Sequence, residues 1–161
     1  YLTTRLWTAG LSMYGSSYNL TEGDITVLQF SPHFTTYFYP ILVPGYADFT
    51  TRYNSIFLSD STGFDKSSFH NIEATINYYF GSFVFNSRIW TGESVLGVFD
   101  SGHVIYNSKD ILKTGIASSL TYYFTKQLSS TVGYQYQILR GESETADTNF
   151  GKLTIMAGYS F

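Results

Sequence analysis

Three things are scarce or missing in this chain of 161 residues, and each absence narrows its class. There is no cysteine, which excludes a disulfide framework and a thiolate zinc site. Charged residues make up 13%, roughly half the share of a typical soluble domain, and the net charge of −3 offers no basic stripe for nucleic acid. No apolar run reaches the roughly 18 residues of a transmembrane helix, but a transmembrane strand needs only about 9–11.

Aromatic residues are abundant, at 19%, and polar and apolar residues alternate along the chain in place of helical periodicity. A strand sends successive side chains to opposite faces, so this alternation predicts strands with one apolar and one polar face. The polar faces hold mainly Ser, Thr, Gly, Asn and Gln, whereas a soluble β-sandwich, the competing fold, exposes a richly charged face. Eight alternating segments lie near 2–14, 25–37, 47–58, 69–80, 83–92, 111–124, 127–139 and 149–161.

The connections between these segments alternate in length. Two are tight turns, at Gly81-Ser82 and Thr125-Lys126. The longer polar stretches, all at the opposite end of the strands, are 15–24, 59–68, 93–110 and 140–148. Short turns at one end and longer loops at the other are typical of bacterial outer-membrane barrels. The apolar connector 38–46 is the exception, because it is too long for a tight turn at the short-turn end.

The chain ends in the strand-like stretch GKLTIMAGYSF. This stretch resembles the C-terminal strand signature of Gram-negative outer-membrane β-barrels, in which a terminal Phe and an aromatic two residues earlier mark the last strand for the barrel-assembly machinery. Tyr159 and Phe161 occupy those positions and form the expected assembly signal.

The resemblance and the alternation together predict one all-β domain over 1–161, an antiparallel transmembrane β-barrel of about eight strands. It would be an integral protein of the bacterial outer membrane, in contact with outer-membrane lipids and lipopolysaccharide. The domain is complete by itself or part of a larger precursor or barrel. No motif points to a cofactor, a metal ion or a nucleic-acid partner.

Parts of the chain resemble two subfamilies of these barrels in sequence. The segments YADFTTRYNSIFLS and HNIEATINYYFGSFVFNSRIWTG resemble strand pairs of YaiO-type barrels, which are associated with envelope polysaccharide export. The ending is also similar to that of MipA/OmpV-like barrels. Neither resemblance carries a function or a residue over to this chain.

An aromatic girdle is expected on the apolar faces, near the ends of the segments, where a lipid-facing surface meets the membrane interfaces. It would anchor the barrel in the membrane rather than bind a ligand. The predicted girdle consists of Trp7, Tyr78, Phe80, Phe83, Phe85, Tyr122, Phe124, Tyr159 and Phe161.

A lumen charge cluster is expected on the polar faces of four neighbouring segments. Arg52, Glu73 and Arg88 should meet near mid-barrel, with His33 at a similar height. A buried charge without a partner is expensive, so an Arg–Glu–Arg cluster is the expected arrangement. One interpretation is a structural network that fills a narrow barrel, since an eight-stranded interior is just wide enough for side chains. The other is a charged constriction that selects solutes.

Three functions therefore stay open. The first is a structural or interaction barrel with a filled lumen, and the second is a pore or envelope export channel. The third is a lipid-modifying enzyme, with no catalytic residue assigned. The side chains that such an enzyme could use are His70 and His103, with Asp65, Ser67, Ser68 and Asp100 nearby in sequence. The acidic loop residues Glu142, Glu144 and Asp147 lack the spacing of a calcium loop and are expected to form a solvated rim.

Deletion of Phe161 should impair membrane insertion more than it alters any property of the folded barrel, because the terminal aromatic is expected to act during assembly. The measurement is the fraction of the chain recovered folded in the outer membrane. Phe161→Tyr, which keeps an aromatic terminus, is the matched control. Unchanged insertion after the deletion would contradict the assembly signal.

Overall fold

The computed structural model describes residues 6–20, 23–40, 44–59, 67–98, 104–106, 110–141 and 147–160. All regular structure over these residues is β-strand. Among them, no helix is long and apolar enough to cross a membrane. The strands are β1 Leu6–Leu20, β2 Gly23–Phe38, β3 Tyr46–Leu58, β4 Ser68–Phe80, β5 Phe83–Ser94, β6 Leu96–Val98, β7 Val104–Tyr106, β8 Asp110–Tyr123, β9 Leu128–Gly141 and β10 Asp147–Tyr159.

Eight of these strands form one antiparallel sheet in the order β1-β2-β3-β4-β5-β8-β9-β10. Strands β6 and β7 form a separate two-stranded ribbon between β5 and β8. The predicted all-β class and the eight antiparallel strands are confirmed. Each neighbour in the sheet is also the next of the eight strands along the chain, so no strand crosses over another.

The two faces of the sheet differ in the way that the alternation predicts. The inner face, as we call it, carries buried polar residues such as Ser31, Asn54 and Asn71. The outer face carries exposed apolar residues such as Phe57 and Ile72. Because side chains alternate along each strand, the register of the backbone pairing decides which residues share a face.

The expectation of a long loop at 15–24 is wrong. Strand β1 continues to Leu20 and β2 begins at Gly23, and these two residues are paired in the ladder. Backbone hydrogen bonds do not depend on an apolar side chain, so the hairpin extends beyond the segments marked by apolar alternation. The expected loop 93–110 likewise contains the ends of β5 and β8 and the β6–β7 ribbon.

An apolar cluster covers the inner face at the end of the sheet away from the tight turns, which we call the loop end. Its members are exposed 7% or less, and Tyr14 and Ile111 pack against it. The cluster consists of Ile25, Val27, Ile56, Leu58, Phe69 and Val95. This cluster was not predicted. A signal was present in the sequence, since Ile25 and Val27 carry the apolar pattern onto the parity opposite to that of Leu28 and Phe30.

A β-bulge interrupts the pairing of β5 with β8 between Thr91 and Ser94. Gly92 lies in it with φ of 111°, a conformation that favours glycine. A Cβ atom there would come within 2.5 Å of the His70 carbonyl oxygen, so the close approach of β4 also requires glycine. Lys113 and Glu93 form an ion pair beside this irregularity.

The connector 38–46 packs back onto the short-turn end of β4. Gly45 has φ of 138° and lies so close to the Tyr79 carbonyl oxygen that no side chain fits. The Tyr78 hydroxyl donates a hydrogen bond to the Pro44 carbonyl at 3.3 Å, and the rings of Tyr46 and Tyr79 stack at 4.3 Å. These contacts account for the parts of the connector that are described, which exclude 41–43.

The two edge strands, β1 and β10, are the most exposed part of the sheet. On the outer face, Met13 and Ile155 are exposed 70% and 72%. On the inner face, Thr8, Gly10 and Ser12 of β1 are also exposed. Among the described residues, the sheet order ends at β1 on one side and at β10 on the other.

Candidate functional site

The pairing register brings three of the four predicted lumen residues into one row across the inner face and places the fourth beside it. His33 is opposite Arg52, Arg52 is opposite Glu73, and Glu73 is opposite Trp90. Arg88 lies one pleat nearer the short-turn end, opposite Thr75. Neighbouring strands are about 4.8 Å apart, so these long side chains lie within reach of one another.

A single carboxylate lies between two guanidinium groups. Arg52 Nη1 is 3.6 Å from Glu73 Oε1, and Arg88 Nη1 is 3.6 Å from Glu73 Oε2. Both distances fit ion pairs but exceed those of direct N–H···O hydrogen bonds. The side chain of Glu73 is 15% exposed, that of Arg88 is 24% and that of Arg52 is 37%. The three residues carry one net positive charge.

His33 lies beside this group on β2. Its Nδ1–H donates to the Ser31 carbonyl oxygen at 3.2 Å, because a carbonyl only accepts. On its other side is Gly10 of β1, where a Cβ atom would come within 2.8 Å of His33 Nε2. The missing side chain at Gly10 therefore provides the space that the imidazole ring occupies.

Trp90 belongs to the site although the sequence analysis did not assign it there. It is 7% exposed, and the Arg88 guanidinium lies 4.9 Å from the centre of its ring, a cation–π contact. Gly115 of β8 makes room for the indole, since any side chain at this position would collide with the ring and with the Tyr136 carbonyl. Trp90 shares its parity with Arg88, and this was the signal that could have placed it in the site. A tryptophan at this position is equally consistent with the aromatic belt.

Two buried N–H donors in the site have no hydrogen-bond partner. They are Arg52 Nε and Trp90 Nε1. Buried polar groups are nearly always paired, and leaving one unpaired costs about 1–3 kcal/mol. The cluster therefore holds donor capacity that Glu73 does not use.

Polar side chains cross-link the inner face on both sides of the charge cluster. Towards the loop end, Asn54 accepts from Ser31 at 2.7 Å and donates to Asn71 at 2.7 Å. Towards the short turns, Asn77 donates to Asp48 at 2.7 Å and accepts from Asn86. Hydroxyl pairs between strands add to this network at Thr35–Thr50 and Thr121–Thr131. The middle of the inner face is thus bridged by side chains from strand to strand.

Most of the predicted aromatic girdle forms a continuous band of ring contacts. Successive centroids are 4.7 to 5.2 Å apart from β4 to the end of β8. The band runs through Tyr78, Phe80, Phe83, Tyr122 and Phe124.

The remaining girdle residues lie outside this band. Phe85 and Tyr159 are exposed 36% and 59%. Trp7 stacks on Phe34 at 5.9 Å. Phe161 lies outside the described residues, so the complete assembly signal is not seen.

The enzyme hypothesis gains a different set of neighbours. His70 Nδ1 is 3.0 Å from the Tyr53 hydroxyl and 3.3 Å from Ser55 Oγ, on the outer face. The Tyr53 ring also stacks on the imidazole. His103, Asp65 and Asp100 lie outside the described residues, and Ser67 and Ser68 lead into β4. His70 Nδ1, the atom that would have to activate the Ser55 hydroxyl, is therefore closer to the Tyr53 hydroxyl than to Ser55 Oγ.

The acidic rim is described only at Asp147. Its Oδ1 accepts from Arg140 Nε at 2.9 Å in an exposed ion pair. Glu142 and Glu144 lie outside the described residues. Within the described ranges, no three His, Cys, Asp or Glu side chains form a group that could hold a metal ion.

Comparisons with known proteins find no match to this chain among family models, curated proteins or solved structures. The functional assignment therefore rests on the sequence pattern and on the geometry of the two faces.

Replacement Glu73→Gln should lower the free energy of unfolding by about 3 kcal/mol, because it leaves two partly buried arginines without their shared carboxylate. Asp147→Asn is the matched control, since it breaks an exposed ion pair that contributes less than about 1 kcal/mol. Urea unfolding in detergent micelles measures both. Equal losses in the two variants would contradict a structural role for the cluster.

Proposed function

We propose that this chain forms an integral β-barrel of a bacterial outer membrane, with a lumen filled by its own side chains and a structural or interaction role in the envelope. The observation that carries the proposal is the contrast between the two faces of one sheet. The inner face is buried and cross-linked by polar groups, and the outer face exposes large apolar residues.

Burial of the inner face supports a sheet that curls around it. Val27, Phe69 and Val95 are fully buried, yet no helix and no second large sheet lies among the described residues. A sheet normally buries a face against another layer, or against itself in a barrel. Curling is therefore the arrangement that fits a single sheet with a buried face.

The outer face supports a lipid environment. Its exposed residues come from all eight strands, and a soluble protein rarely exposes so much contiguous apolar surface. Representative residues are Leu11, Phe34, Phe49, Ile72, Ile89, Leu120, Val132 and Ile155, exposed between 38% and 72%. A charge at mid-membrane on this face would cost about 2–4 kcal/mol. The outer-face positions in the described strand interiors carry no such charge.

Closure would pair β1 with β10, because unpaired edge strands are not stable in hydrocarbon. If the directly paired residues are followed across the sheet from Gly10 of β1, the last one is Phe150 of β10. A strand tilt of about 35–45° shifts the closing register by about 8–11 residues. The inner face carries even-numbered residues on both strands, so the shift must be even. Phe150 would then pair with residue 18 or residue 20 of β1.

The outer-membrane location, the lipid and lipopolysaccharide contacts and the barrel-assembly machinery remain part of this proposal. They are supported by the aromatic band near the short turns and by the resemblance of the C-terminal stretch to the assembly signature.

The filled inner face favours a closed lumen over a pore. The apolar cluster covers the loop end, and the charge cluster with its amide and hydroxyl partners crosses the middle. Eight strands enclose a space that side chains of this size can fill. The barrel would then act through its surface and loops rather than by conducting solutes.

One observation favours a second candidate, a larger export or pore-forming barrel of which this chain is a portion. The inner residues Thr8, Gly10 and Ser12 of β1 are exposed, unlike the inner residues of the central strands. Additional strands beside β1 and β10 would cover these edges and widen the lumen. The charge cluster would then lie on the wall of a channel.

Lipid contact can be tested with the two tryptophans, which lie on opposite faces. In liposomes that contain brominated lipids, Trp7 in a Trp90→Phe variant should be quenched strongly, because its side chain is 67% exposed on the outer face. Trp90 in a Trp7→Phe variant should be quenched little, because it is 7% exposed on the inner face. Equal quenching, or recovery of the chain in the aqueous phase without detergent, would contradict the membrane barrel.

Planar-bilayer recordings distinguish the filled barrel from the pore. We expect no well-resolved openings from the wild type, because the apolar and charged clusters occupy the lumen. Stable openings whose ion selectivity shifts in Glu73→Gln, but not in the control Arg140→Gln, which belongs to an exposed ion pair, would overturn the filled lumen and support the larger channel.

A further inference from the structure

The charge cluster on the inner face has one positive charge in excess. Arg52 and Arg88 share the single carboxylate of Glu73. The other acids described near this level are already engaged, since Glu93 pairs with Lys113 and Asp48 accepts a hydrogen bond from Asn77. Asp48 also lies four residues from Arg52 along β3, about 13 Å away. An uncompensated charge in a poorly solvated place is costly, so a negative counter-charge is expected nearby.

The unsatisfied groups in the cluster are all donors. Arginine and tryptophan side chains carry N–H groups and no acceptor, so Arg52 Nε and Trp90 Nε1 both require an acceptor from elsewhere. The 3.6 Å ion pairs show that the Glu73 oxygens do not make close hydrogen bonds to the two Nη1 atoms. A water molecule would satisfy a donor but would leave the excess charge in place.

We propose that the inner face binds a small anion, of halide or simple carboxylate size, in the region bounded by Arg52, Arg88 and Trp90. Arg52 and Trp90 flank Glu73 on one cross-sheet row, and the 37% exposure of the Arg52 side chain leaves a route for the anion. The anion accepts from the two orphan N–H groups and neutralises the cluster. Binding requires only the inner-face geometry, so the site goes beyond the proposed barrel function.

The buried indole provides the readout. In a Trp7→Phe background Trp90 is the sole tryptophan, and iodide is both a halide ligand and a quencher of its fluorescence. Iodide titrated into folded protein in detergent should quench Trp90 along a saturating curve, and chloride or formate should compete. Acrylamide, a neutral quencher, should act weakly on a residue that is 7% exposed.

Substitutions that change the charge of the cluster should shift the iodide affinity in opposite directions. Arg52→Gln removes an orphan donor and the excess charge, and should weaken iodide binding by about tenfold, which corresponds to about 1.4 kcal/mol. Arg52→Lys keeps the charge but lacks the Nε–H group, so its iodide affinity should lie between those of the wild type and Arg52→Gln. This variant also tests the site if Arg52→Gln does not fold. Glu73→Gln raises the excess charge and should tighten binding. Arg140→Gln, the same change in an exposed ion pair with Asp147, should leave iodide binding unchanged.

Linear iodide quenching no stronger than that by acrylamide would overturn the site, as would affinities that are equal in Arg52→Gln and the wild type. Hydration alone would then satisfy the orphan donors. That result would leave the barrel proposal intact, because lipid quenching of Trp7 tests the barrel independently.

Discussion

Antiparallel backbone pairing is the constraint on which the rest of this structure depends. Among the described residues there is no helix, and the only other sheet is the short β6–β7 ribbon, so register alone assigns each side chain of the large sheet to a face. A slip of one residue between β3 and β4 would place Ile72 or Ala74 opposite Arg52 and turn Glu73 to the outer face. It would expose a charge on the apolar face and bring apolar groups inward, so both faces oppose it.

The inner face meets two different packing problems along its length. At the loop end, apolar residues such as Phe69 exclude water by contact with one another. In the middle, the carboxylate of Glu73 and the amides of Asn54 and Asn71 satisfy polar groups by bridging strands. Small residues make this possible, since Gly115 opens the space that the Trp90 ring occupies.

Much of this arrangement was predictable from the sequence. The eight strands follow the alternating segments, and Arg52, Glu73 and Arg88 lie together because their parity and heights match across neighbouring strands. The errors have a common cause. Alternation marks only strand parts with contrasting faces, so it missed the polar hairpin end at 15–24 and the inner apolar cluster.

The sequence by itself determined the class of fold, the two contrasting faces and the residue types available to each face, because these follow from the two-residue period of a strand. Only the tertiary structure decided which side chains touch. Trp90 joined the charge cluster because Gly115, opposite it on β8, leaves room for its ring, and Arg52 Nε was left without a partner. Such outcomes depend on distances of a few tenths of an ångström between strands, and residue order along one strand does not specify them.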